Sequence, residues 1–98
     1  MYISKIVWTI SAREDVHAIR QQIFGRDGRL GVERFKKALT IRLSLIQHFP
    51  RIGMANPDRT KIRKFFLDEY HDIVYEPGED QIVIHGVLPN WKQRWTST

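Results

Sequence analysis

Between Tyr2 and Ile10 the residues alternate, with Tyr2, Ile6, Trp8 and Ile10 on one side and Lys5, Val7 and Thr9 on the other. That is the period of a β-strand. Ser11-Ala12-Arg13-Glu14 then fits a capping box, in which the Ser hydroxyl accepts from a free amide at the helix start and the Glu three residues on reciprocates. The pattern predicts a helix from Ala12, with Ala12, Val16, Ile19 and Ile23 in one stripe. Gly25, Asp27, Gly28 and Gly31 end it and supply the positive-φ positions of a turn. A second helix is predicted from Val32 to Phe49, about 27 Å long at 1.5 Å per residue. Val32, Phe35, Leu39, Ile46 and Phe49 share its apolar face, with Ala38, Leu43 and Leu45 at the flanks, and Pro50 stops it.

Residues Arg51 to Thr60 show no period and contain Gly53 and two turn-forming pairs, so they read as a loop. Three apolar runs follow: Lys61 to Leu67, Tyr70 to Glu76 and Gln81 to Leu88. Asp68-Glu69 and Pro77-Gly78-Glu79-Asp80 join them, which predicts a three-stranded antiparallel meander. The order is β-α-α-β-β-β. The fold class is α+β, an antiparallel sheet packed against a helical hairpin, because each layer needs the other to cover its apolar side. The 98 residues suit one domain over 1–98, with 90–98 as a tail.

Charge sharpens the picture. The net charge is +5 and the isoelectric point is near 9.9, which favours acidic partners such as nucleic acid, the ribosome or an acidic protein segment. Arg51, Arg59, Lys61, Arg63 and Lys64 face a single acid, Asp58, in that stretch, whereas 68–80 carries acids and no Lys or Arg. Cysteine is absent, which removes disulfides, thiolate metal sites and a cysteine nucleophile. No metal and no cofactor are expected. Met1 to Ile10 lacks the apolar core of a signal peptide, and no run approaches the roughly 18 apolar residues of a membrane span. A cytoplasmic protein with no membrane partner is the expectation.

Several short motifs, taken in order, resemble the ParE/RelE superfamily of toxins from type II toxin–antitoxin systems. They are Trp8-Thr9 with Ala12-Arg13-Glu14-Asp15, then Phe49-Pro50-Arg51-Ile52-Gly53, then Ile62-Arg63, and then the meander Tyr70 to Tyr75 and Gln81 to Leu88. The similarity spans Lys5 to Leu88. It implies a cognate antitoxin as partner, and operator DNA reached only through that antitoxin. RelE-like members are ribosome-dependent ribonucleases, whereas ParE-like members inhibit DNA gyrase without recognised catalytic residues.

Cleavage of RNA by its own 2′-hydroxyl needs a base, an acid and cations for the phosphorane charge. If the chain were a ribonuclease, Lys61, Arg63 and His85 are the candidates. Arg63 takes the position of the family's second-strand arginine, Lys61 shares its side by period two, Lys64 opposes it, and His85 shares the side of Val83 and Val87. His71 stands near the start of the next-to-last strand. Arg63 could equally pair with Asp72 or Glu76. The last strand ends in Val87-Leu88-Pro89-Asn90, where RelE-like members often place an arginine and ParE-like members a histidine. The resemblance therefore points nearer ParE: a gyrase inhibitor with no catalytic residues. The alternatives are the ribonuclease, whose partners are ribosome and mRNA, and a non-toxic relative that only binds antitoxin.

The antitoxin is expected to engage Val16, Ile19, Arg59, Lys61, Arg63 and Lys64. The tail interleaves Trp91 and Trp95 with Lys92 and Arg94, a pattern that suits target binding by stacking and charge, or aromatic residues folding back to finish the core.

Overall fold

The computed structural model describes residues 1–90. Strand β1 (Lys5–Trp8) is followed by α1 (Ile10–His48), then β2 (Met54–Ala55), β3 (Arg63–Phe66), β4 (His71–Pro77) and β5 (Gln81–Pro89).

The helix starts earlier than the Ser11 capping box predicts. Thr9 is the N-cap, with extended backbone angles and a hydroxyl that accepts from the Ala12 N–H at 3.0 Å. Thr9 thus ends the strand and opens the helix, so Ile10 falls on the first helical turn and is 77% exposed instead of continuing the strand's buried side. Tyr2 is exposed as well, and Ile3 is the residue from this segment that enters the core.

The helical hairpin is present, but without a connecting loop. Helical geometry is broken at Gly28 alone, where φ is 71° and ψ is −160°, a conformation that strains any residue with a Cβ. The arms 10–27 and 29–48 fold back on each other there. A methyl group at Gly31 would lie 2.9 Å from Ile23 Cγ2, although residues eight apart in a straight helix are about 12 Å apart. Phe49 is the C-cap, its N–H bonded to the Leu45 carbonyl at 2.8 Å, and its ring is 61% exposed. It does not join the buried face predicted for the second helix, because the chain leaves helical geometry at that residue.

The sheet has the order β1-β5-β4-β3-β2. The β3-β4-β5 meander is antiparallel as expected, but β1 runs parallel to β5, with Lys5 beside Gln81 and Trp8 beside Ile84. The sheet is therefore mixed. The segment read as a loop contributes β2, whose two residues pair with Lys64 and Arg63 and are too few to show a period. The helical hairpin covers one side, where Ala12, Ile19, Ile23, Phe35 and Ile46 pack against Ile73, Tyr75, Ile82, Ile84 and Val87. No described helix is long and apolar enough to cross a membrane.

Tyr75 joins this core to the segment after the helix. Its ring is fully buried, and its hydroxyl donates to the Pro50 carbonyl at 2.7 Å and accepts from the Gly53 N–H at 3.0 Å. Gly53 has no room for a side chain, since a Cβ would meet the Lys64 carbonyl at 2.6 Å and the Tyr75 hydroxyl at 2.8 Å. Burial raises the Tyr75 pKa above its ordinary 10.0, tempered by the Gly53 hydrogen bond and the nearby Arg63 charge.

Replacing Tyr75 by Phe leaves the Gly53 N–H and the Pro50 carbonyl without this partner, and should destabilise the fold by about 1–3 kcal/mol in urea unfolding. A phenol whose folded pKa is raised stays protonated in the native state while the unfolded state ionises. Wild-type stability should therefore fall as pH rises through 10, and Tyr75→Phe should lose that component of the alkaline slope.

Candidate functional site

The side of the sheet away from the helices is organised by one irregularity in β5. Val74 pairs with Gly86 and Tyr75 with Ile84, which leaves His85 as an extra residue with no partner opposite. This β-bulge changes the phase of the strand. Ile82 and Ile84 point into the core before it and Val87 does so after it, while Val83 and His85 lie on the outer side. His85 therefore shares a side with Val83 but not with Val87, contrary to the period-two expectation.

The helix side holds the bulge in place. The Thr9 N–H donates to the Ile84 carbonyl at 3.2 Å, and the Thr9 hydroxyl donates to the His85 carbonyl at 3.3 Å. Asp15, on the first helical arm, accepts from the Val87 N–H at 3.1 Å. Both residues belong to the Trp8-Thr9 and Ala12-Arg13-Glu14-Asp15 motifs. Their spacing gave a helix start but no hint that they brace a strand 72 residues or more away.

On the outer side, His85 Nε2 lies 3.0 Å from Glu76 Oε1. An ionised carboxylate only accepts, so this hydrogen bond requires a proton on Nε2. Glu76 was not among the sequence candidates, because only the β4–β5 register brings it to His85. Val74 lines the same open groove, as do Arg59, Thr60 and Lys61. An Asx turn places them: Asn56 Oδ1 accepts from the Asp58 and Arg59 N–H groups at 2.8 and 3.2 Å.

Arg63 does not join this groove. Its guanidinium donates to the Gly53 carbonyl at 2.7 Å and the Arg51 carbonyl at 3.3 Å. It stands opposite Tyr75, a core residue, and so on the reverse side from Glu76 and Asp72; neither acid is its partner. Period two from Arg63 back to Lys61 fails because the Ile62 N–H closes a turn onto the Arg59 carbonyl at 2.9 Å. Lys64, opposite Val74, is on the outer side as expected.

His71 is tied into a tight turn. Its Nδ1 lies 3.1 Å from Asp68 Oδ1, which also accepts from the Tyr70 and His71 N–H groups. Asp72 beside it is 7% exposed. Desolvation raises its pKa above 3.8, opposed by the charges of Lys64 and His71 and reinforced by Asp68.

The residues expected to meet an antitoxin are dispersed. Ile19 is 6% exposed and packs in the core, on the stripe that covers the sheet. Val16 is half-buried in a shallow depression with Trp8, Arg13, His17, Arg20 and Leu39. Arg59 and Lys61 are exposed, and Arg63 is turned inward as described. Trp91, Lys92, Arg94 and Trp95 lie outside the described residues. Among the described residues, no cluster of three or more His, Asp or Glu side chains could hold a metal ion.

Residues 6–90 match the sequence model of the ParE toxin of the type II toxin–antitoxin system parDE. The chain belongs to the ParE toxin family. The ParE-family fold is also found in solved structures of low sequence identity. A chain of the chromosomal ParDE toxin–antitoxin system from P. aeruginosa is 15% identical with a TM-score of 0.72, over 91% of this chain and 98% of that one. The YoeB/ParE toxin from Agrobacterium tumefaciens is 15% identical with a TM-score of 0.63, over 88% and 98%. The YoeB dimer from Staphylococcus aureus gives 16% and 0.63, over 88% and 94%. No curated protein matches the chain. Membership in this family implies a cognate antitoxin as partner of the chain.

Asp72 provides a pH test of this region. Its raised pKa means that, just above pH 3.8, the unfolded chain has released a proton that the folded chain keeps. This group therefore removes stability as pH rises through that window. Asp72→Asn should remove that loss, so that the difference in urea midpoint, variant minus wild type, grows from pH 3.5 to neutrality; a difference independent of pH would contradict the assignment.

Proposed function

We propose that the chain is a ParE-like toxin that inhibits DNA gyrase by binding it, without catalysis, and that a cognate antitoxin neutralises it. Membership in the ParE toxin family supports this reading, and one observation in the structure carries it. Arg63, the cation needed for phosphorane stabilisation, is committed to two backbone carbonyls on the reverse side of the sheet from His85. Arg63 therefore does not join Lys61 and His85 at their groove, and general acid–base chemistry on RNA needs its groups within hydrogen-bond reach of one phosphodiester.

A second reading rests on the groove itself. The His85–Glu76 pair shares an open groove with Arg59 and Lys61, a set of base and cations that suits a ribosome-dependent mRNA endoribonuclease. The placement of Val16, Arg59, Lys61 and Lys64 near the surface is compatible with antitoxin binding in either case. A cytoplasmic site of action follows from both targets.

Purified protein mixed with gyrase and relaxed plasmid should block supercoiling at near-stoichiometric amounts, and added antitoxin should restore it. Full supercoiling, together with new 5′ ends on translated mRNA by primer extension after induction, would replace this reading by the ribonuclease.

A further inference from the structure

The core does not need the residue that interrupts β5. Tyr75 pairs with Ile84 and Val74 with Gly86, so a strand without His85 would continue the ladder from Ile84 to Gly86 unbroken. Plain alternation would then turn Ile82, Ile84 and Val87 inward, the same side chains that the core holds with the histidine in place. The insertion is thus neutral on the inner side of the strand. On the outer side it adds an imidazole.

Its neighbours are fitted to it. The pairing with β1 ends at Trp8 opposite Ile84, and beyond that point Thr9 and Asp15 take over the edge of β5. The Thr9 hydroxyl donates to the His85 carbonyl, and the Asp15 carboxylate accepts from the Val87 N–H. Gly86 lies between these two contacts. A Cβ there would stand 3.2 Å from Asp15 Oδ2, so glycine is what lets the carboxylate approach the strand this closely. Bulges of this kind re-aim side chains beside functional sites. The imidazole aimed here is 38% exposed, as is its partner Glu76, and an ion pair so wet adds little to stability. An interruption that brings nothing to the core and little to stability is explained by what the imidazole meets outside the chain.

We infer that His85 is the side chain through which the outer side of the sheet acts on the toxin's target, by hydrogen bonding, and that Thr9 and Asp15 are positioning residues that hold it there. The inference rests on the chain being a toxin, but not on the target being gyrase.

The test uses the full chain with four variants: deletion of His85, His85→Ala, Asp15→Ala and Asp15→Asn. The deletion should fold, keeping the cross-strand NOEs between Asp72 and Leu88 that mark the present register. Deletion and His85→Ala should both abolish growth arrest on induction, and in the supercoiling assay should raise the half-inhibitory concentration roughly tenfold or more. Both should still be captured by co-expressed antitoxin. Asp15→Ala should shift the NMR signals of the His85 imidazole and weaken the arrest. Asp15→Asn, whose amide oxygen still accepts from the Val87 N–H, should restore both. Persistent arrest by His85→Ala overturns the inference. So does a deletion that fails to fold, which would give the insertion a structural role. Loss of antitoxin capture by His85→Ala with an unchanged urea midpoint overturns it as well, because the histidine then belongs to the antitoxin. Unmoved His85 signals in Asp15→Ala, or no restoration by a folded Asp15→Asn, remove the positioning role. If the wild type arrests growth without inhibiting gyrase while His85→Ala does not arrest growth, the gyrase reading fails and the role of His85 stands. A wild-type chain that does not slow growth removes both.

Discussion

A strand with a side-chain period of two cannot place Ile82, Ile84 and Val87 in one core unless an extra residue intervenes between the second and the third. In β5 that residue is His85, and much of the molecule is arranged around its insertion. The core receives three fully buried side chains from a strand whose plain alternation would turn Val87 outward. The outer side receives an imidazole beside Glu76. Insertion also takes backbone groups out of the β4–β5 register, and the N-terminal end of the helix meets them with the Thr9 hydroxyl and the Asp15 carboxylate. Thr9 caps the helix with the same hydroxyl, so the start of the helix and the irregularity in the strand are one structure.

Tyr75 plays the corresponding part at the other end of the sheet. A phenol buried among aliphatic side chains needs partners for its hydroxyl, and the main chain between Pro50 and Gly53 supplies both a donor and an acceptor. Arg63 completes the bracket from β3. The cation that looked available for chemistry is thus a structural fastening.

Local features were readable from the sequence where they depend on near neighbours. The Ala12, Val16, Ile19 and Ile23 stripe, the turn at Gly28 and the β3-β4-β5 meander all follow from periodicity and turn chemistry. Features set by partners far along the chain were not. The parallel placement of β1, the two-residue β2, the inward turn of Arg63 and the Glu76–His85 pair depend on register, which period alone does not fix. The N-cap was misplaced by two residues because Ser11 and Thr9 carry equivalent hydroxyls. Thr9 differs in also bonding β5, through its N–H to the Ile84 carbonyl and its hydroxyl to the His85 carbonyl.

The parallel pairing of β1 with β5 has a consequence for the life of the chain. Lys5 pairs with Gln81, so β1 finds its hydrogen-bonding partner only in the last strand described. Contacts of such long sequence separation form late, because the loop-closure entropy must be met before they contribute. A nascent chain that has made its helical hairpin and the β3–β4 pair still lacks the strand that carries His85 and that Thr9 and Asp15 brace. The core and the outer surface are therefore completed together, when β5 pairs with β4 and β1.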